Sequence, residues 1–269
     1  MIEILTIGLN TFREAIRSKV LYLILFFMVL MIGSSFFLET LALDGGDRLI
    51  KNLGLSTISF FGLLVAMFIG VNLIPQEVES KTIYTIVSQG VQRWQFVLGK
   101  FLGLILTVYV NIALMTVMLL GILLYYFATT DMIEGVTFFW MIKAIFMELL
   151  AMLIVVAVAI LFSSFSTPIL SAVMTGCVYI IGQMTNDFWD YIRLQSEKQG
   201  TEIYCAFLKV IYYLCPHLDM LNLKKQVVHF EELGAAAASF PYGAGAFHAI
   251  TYTAVILFIA CLAFSKRDF

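Results

Sequence analysis

One carboxylate falls where a carboxylate is hard to keep. Glu148 sits in an otherwise apolar run, roughly 12 Å along a helix axis beyond Trp140. An ionisable group buried that far inside a membrane-type helix is a functional candidate by default. Three roles are open to it: lining a path for a polar cargo, pairing with Lys143, or hydrogen-bonding a neighbouring helix to fix packing. A second grouping has the right donor types for copper or zinc: Cys205, Cys215, His217, Asp219 and His229. Their spacing matches no standard ligand pattern, and no CxxC occurs, so neither a metal nor a cofactor is assigned. Cys205 and Cys215 can bridge if their segment faces an oxidising compartment. Cys177 and Cys261 lie in apolar runs, where a thiol acts as a small hydrophobe.

Other chemistries lack their parts. A phosphate-cradling loop needs G-x-x-x-x-G-K-[ST]. The one Gly-Lys pair, Gly99-Lys100, is followed by Phe101 and has Trp94 where the first glycine belongs. The chain therefore carries no nucleotide site of its own. Neither H-E-x-x-H nor G-x-S-x-G is present, so a protease or hydrolase centre is not indicated. The polar run Gln183, Asn186 and Asp187 reads as a helix cap. So few embedded acids fit a proton- or sodium-coupled carrier poorly. A net charge of −2 without a basic, aromatic-rich patch argues against nucleic acid as a partner.

The elements that must position Glu148 are membrane spans. Of 269 residues 61% are hydrophobic and 13% charged, and the mean hydropathy is +0.97. A span needs about 20 predominantly apolar residues. Six such runs are predicted, at 20–38, 54–74, 101–127, 138–162, 168–186 and 244–264, with Trp140 at the headgroup level of the fourth. Residues 1–19 place Ile4, Ile7, Leu9, Phe12 and Ile16 at near-helical spacing, which predicts an interfacial amphipathic helix. Asp44-Gly45-Gly46-Asp47 marks a turn between the first two spans, and 163–167 a turn between the fourth and fifth. The long 187–243 segment contains an apolar piece at 203–214, too short to span and suited to a re-entrant or interfacial helix. It is followed by a second amphipathic piece at 218–230. The chain thus reads as one all-α polytopic membrane domain over 1–269.

Six spans put both ends of the chain on one side. Arg13, Arg17, Lys19, Lys81, Arg93, Lys100, Lys266 and Arg267 fall on that side. The opposite short loops hold Arg48, Lys51 and Lys143. The excess of positive charge assigns both termini and the 75–100 loop to the cytoplasm, and 187–243 to the outside.

That loop, PQEVESKTIYTIVSQGVQRWQFVLGK, is polar yet patterned, its charges interleaved with Val78, Ile83, Ile86 and Val87. It resembles the cytoplasmic loop of ABC type-2 exporter permeases. The branch it is most similar to contains the permease of copper-enzyme (nitrous oxide reductase) maturation systems. The matching residues are Glu77-x-Glu79, Thr82-Ile83, Arg93-Trp94-x-Phe96-Val97-Leu98 and Gly99-Lys100. Pro216 with Leu218-Asp219-Met220-Leu221 and the terminal Arg267-Asp268-Phe269 also match. Lys81 stands where the family often has Gly, and Gly90-Val91 where it often has Pro.

The resemblance implies the transmembrane subunit of an ABC exporter in a bacterial inner membrane. The loop would form a coupling helix seated in a separate ATPase subunit. Glu77, Glu79, Lys81, Thr82, Arg93, Trp94, Gly99 and Lys100 are then the contact candidates, and Glu148 a candidate for the path. Acids near a helix start suit its positive end. The resemblance also implies a second permease subunit, identical or related. An alternative keeps the loop and drops transport: a membrane scaffold or assembly factor that recruits a cytoplasmic partner.

Overall fold

The computed structural model describes residues 2–39, 46–72, 75, 92–130, 135–195, 208–212, 215–228 and 242–266. All regular structure among them is helical. Helix α1 is Ile2–Ile16, α2 Lys19–Glu39, α3 Gly46–Gly70, α4 Arg93–Thr130, α5 Gly135–Phe165, α6 Pro168–Gln183 and α7 Thr185–Gln195. A 3₁₀ turn at Leu218–Leu221 leads into the short α8, Lys224–Val228, and α9 is Tyr242–Ser265.

Four of these, α3, α4, α5 and α9, are each long and apolar enough to cross a membrane alone. Two bent pairs, α1 with α2 and α6 with α7, raise the number to six when each pair counts as one crossing. The amphipathic 1–19 segment and the first span are therefore two helices, α1 and α2, meeting at 63°. The backbone N–H groups of Arg17 and Ser18 close the last turn of α1 onto Glu14 and Ala15 carbonyls before α2 begins.

Burial sorts the helices. In α3 and α5, 67% of the hydrophobic window is enclosed by protein, against 28% in α9, so α3 and α5 form the centre and α9 the periphery. The outer faces are apolar as lipid requires: Tyr22, Leu23, Phe26 and Leu30 of α2 and Phe247 and Phe258 of α9 are all exposed. Because lipid is as apolar as the core, helix contact here rests on close packing and on polar links. Ser163 of α5 supplies such a link, its hydroxyl donating to the Val71 carbonyl beyond α3 at 2.9 Å.

The ends of the elements differ from the hydropathy reading in two places. Residues 93–100, assigned by their charges to the polar loop, are the first two turns of α4. Residues 168–186, read as one span, break at Met184, with α6 and α7 inclined at 56°. Trp140 is only 6% exposed, beneath the ammonium of Lys143 at 4.6 Å. Pro168 opens α6 after an extended Thr167, as a proline at a first helical turn should. Of the 203–214 piece, residues 208–212 are helical.

Candidate functional site

The first turns of α4 are held from two sides. On one side α1 crosses at near-backbone contact. A Cβ on Gly103 would stand 2.5 Å from the Gly8 carbonyl oxygen, and one on Gly99 2.7 Å from Ile7 Cβ. Only residues without side chains allow this approach, the small-residue packing typical of membrane helices. Lys100 is 1% exposed and points its ammonium at Glu14 of α1, 3.9 Å away, with the Phe96 ring 5.7 Å below. On the other side stands the end of α9. Arg93 donates to the Ser265 carbonyl at 2.8 Å, capping the electronegative end of that helix. Phe96 stacks on Phe264 with ring centres 5.5 Å apart. Trp94 is 45% exposed at the mouth of an apolar groove of about 630 Å³ between α4 and α9. Its indole N–H donates to the Gln92 side chain.

The structure thus brings four of the loop candidates, Arg93, Trp94, Gly99 and Lys100, onto one short helical segment with distinct surroundings. Gly99 and Lys100 are turned inward to α1, Arg93 to α9, and Trp94 outward. Glu77, Glu79, Lys81 and Thr82 lie outside the described residues.

Glu148 lies in the other half of the bundle. It is 6% exposed, and its Oε1 is buried without a hydrogen-bonding partner. Lys143, five residues away and so on a different face of α5, takes another course. Its ammonium rests over the rings of Phe139, Trp140 and Tyr242 at 4.2, 4.6 and 4.8 Å. The groups that do face Glu148 come from three other elements. Ser59 of α3, whose hydroxyl donates to the Leu55 carbonyl at 3.1 Å, lies beside it. Tyr179 of α6 reaches both Ser59 and Gln183. Gln183 accepts from Asn222 at 3.0 Å, and Asn222 in turn accepts the backbone N–H of Lys224 at 3.1 Å. The Lys224 ammonium then acts on Glu148 through space, closing a polar circuit. Burial pushes the Lys224 ammonium below its ordinary pKa, and the Glu148 carboxylate opposes that fall.

Lys224 arrives on a plug, residues 215–228, inserted among α3, α5, α6 and α9. Leu218, Leu221, Leu223 and Val227 of the plug are almost fully buried. The break after α6 admits it: Gly182 meets the Pro216 carbonyl so closely that a Cβ would stand 2.8 Å away. Asn186 donates to Asp219 and Gln183 accepts from Asn222, so two residues of the polar run read as a helix cap also form a seam with the plug. Under the plug lies a cavity of about 450 Å³, lined in part by Val158, Phe162, Cys215, Pro216 and Tyr252. Among the described residues no group of three His, Cys, Asp or Glu side chains is placed to hold a metal ion. His217 meets His248 ring to ring at 5.5 Å.

Sequence reading singled out Glu148 but not Ser59, Tyr179 or Lys224. A local signal was the group of hydroxyl residues Ser56, Thr57 and Ser59 near the start of an otherwise apolar run.

Fold and composition define a polytopic, wholly helical membrane protein. The chain belongs to the ABC-2 transporter family, whose model, described as an ABC-2 family transporter protein, matches residues 5–269. No curated protein matches it. Membership makes this chain the membrane-spanning permease component of an ABC transporter, a transport subunit without catalysis of its own, and implies an ABC ATPase partner.

Proposed function

We propose that this permease is one of two in an ATP-driven exporter of a bacterial inner membrane. Both termini and the 75–100 segment face the cytoplasm, and that segment receives the stroke of the ATPase. Within the family the Glu77-x-Glu79, Thr82-Ile83 and Arg93–Lys100 pattern favours the branch of copper-enzyme maturation permeases. The observation that carries the coupling role is the clamp on α4. The chain leaves 75–91 directly into a helix whose first two turns are wedged against α1 and tied to α9. A force applied to the segment is passed to three helices at once, and through Ser163 and Val71 the far end of α3 is joined to α5. Glu77 and Glu79 supply carboxylates for basic residues on the ATPase, and Trp94 an exposed apolar anchor beside them.

The test is reversal of both charges, Glu77→Lys with Glu79→Lys, in the full complex. The ATPase should be lost from a pull-down on the permease, and transport-coupled ATP hydrolysis with it. Unchanged co-purification together with unchanged coupled hydrolysis would sink the role. Glu148 is read as part of the path, so Glu148→Gln should impair transport while leaving the ATPase bound.

A further inference from the structure

We propose that Glu148 is a binding position for a positively charged, hydrogen-bond-donating group of the cargo, an ammonium or its equivalent, and that Lys224 on the plug is its resident competitor. The inference rests on the reading of Glu148 as part of the path and adds the cargo's charge and the way its arrival opens the plug.

The unpartnered oxygen carries the argument. Oε1 of Glu148 is buried and accepts from nothing, although a carboxylate in apolar surroundings is kept only by donors or by an opposite charge. Ser59 is within hydrogen-bonding reach of the carboxyl, but its one proton is shared with the Leu55 carbonyl at 3.1 Å and Oε1 is left without a donor. Tyr179 brings a hydroxyl to Ser59 and Gln183 and no positive charge. Among the described residues the cationic group acting on Glu148 is Lys224, which does not reach Oε1. The resting arrangement is thus balanced in charge and incomplete in hydrogen bonding.

A group that can complete it must donate, and the environment selects for positive charge. Such a ligand cannot simply add to the site, because two cations on one buried carboxylate leave a net charge in the membrane interior. It has to replace Lys224. Lys224 is the first residue of α8, joined through Asn222 to Gln183, so its departure loosens the plug at the seam where α6 breaks. Cargo binding and plug release are therefore one exchange of cations. The apolar cavity of about 450 Å³ beneath the plug is walled in part by Val158, Val178, Pro216 and Tyr252, so lifting the plug opens it.

Cys215 reports the state of the plug, since it lines that cavity and is partly buried. The experiment uses the full chain with its ATPase in lipid nanodiscs, with Cys177, Cys205 and Cys261 replaced by Ala. Cys215 is labelled with a membrane-impermeant maleimide, in the presence of hexylammonium or, as the neutral control, hexanol. Hexylammonium should raise the labelling rate saturably, on the order of tenfold, and hexanol should not. Glu148→Gln should label fast from the start and ignore the amine. Lys224→Met should also label fast but bind the amine more tightly, and the exchange Glu148→Lys with Lys224→Glu should restore slow labelling. A wild-type rate indifferent to the amine, or an amine response that persists in Glu148→Gln, overturns the proposal. Loss of transport in Glu148→Gln beside an unresponsive wild type would reject this inference and keep the path reading. A wild-type amine response that Glu148→Gln abolishes, beside normal transport in that variant, would reject the path reading and with it the assignment of the amine to the cargo, and would keep only the exchange of cations at Glu148.

Discussion

The two ends of the bundle are closed by opposite means. Around the first turns of α4, backbones touch at Gly8, Gly99 and Gly103, and the buried Lys100 has its carboxylate in Glu14. Around the plug, contact is made by a seam of amides and by leucines set into gaps, and the central carboxylate oxygen has no partner. Backbones in direct contact leave little room to shift against one another, so the α4 clamp is the stiffer of the two ends. Polar links can be exchanged one for another at small net cost. The clamp is therefore suited to passing on a displacement, and the plug to giving way to one. The proposed coupling uses both properties, at opposite ends of the same helices.

The contrast is broken most severely by filling the clamp. Gly103→Leu places a side chain where the Gly8 carbonyl and Thr11 already stand, so α1 must leave its groove. The expected loss is about 3 kcal/mol, read as a lowered unfolding midpoint in mixed micelles, together with uncoupling of ATP hydrolysis from transport. Gly33→Leu is the matched control, since nothing lies within 4 Å of a Cβ built there. An equal loss at both positions would show that α1 docking carries no special weight.

A milder lesion sharpens the same comparison. Glu14→Gln removes the carboxylate that faces the buried ammonium of Lys100, whereas Lys100→Met removes the ammonium and keeps the apolar stem. The first should be the more damaging, by about 1–2 kcal/mol, because it leaves a charge buried without that carboxylate. The exposure of Glu14, near one half, keeps the figure below that of a fully buried pair. The same unfolding measurement ranks the two variants, and the reverse order would make the stem's packing, not the charge, the anchor.

What could be read in the sequence follows from how far each cause reaches. The bilayer demands about 20 apolar residues wherever the chain crosses, so the runs leading to α2, α3, α4, α5 and α9 stand out without any knowledge of contacts. The start of α4 did not, because Arg93 and Lys100 look like loop residues until Ser265 and Glu14, both remote in sequence, are seen to take their charges. The break after α6 was hidden for a related reason. Hydropathy records that 168–186 is apolar but not that the Pro216 carbonyl presses on Gly182. Glu148 was legible as an outlier in its own run. Its circuit was not, since Ser59, Tyr179 and Lys224 sit on three separate elements and no spacing rule joins them.

The smallest effect expected concerns the plug's other anchor. His217 is partly enclosed, and burial first, then the neighbouring His248, hold its pKa below the ordinary value of 6.5. The folded plug therefore prefers neutral His217, while the released segment takes up a proton as pH falls through 6.5. Stability of the docked plug is full above that pH and declines below it, towards the lowered folded value. Geometry gives the same sign. The backbone N–H of His217 is directed at Nε2 of His248 at 3.4 Å, and an imidazolium has no lone pair to accept it. Amide hydrogen exchange over 215–223 should thus be faster at pH 5.5 than at pH 7.5 once corrected for the intrinsic pH dependence. Exchange in the Gly8–Gly103 contact should not follow. His217→Asn should weaken the plug's response without abolishing it, because His248 still faces the backbone N–H of residue 217, and without freeing the plug, because Leu218 and Leu221 remain buried. A plug that loosens equally at both pH values, or a clamp that loosens with it, would mean that the two ends do not differ in the way their contacts imply.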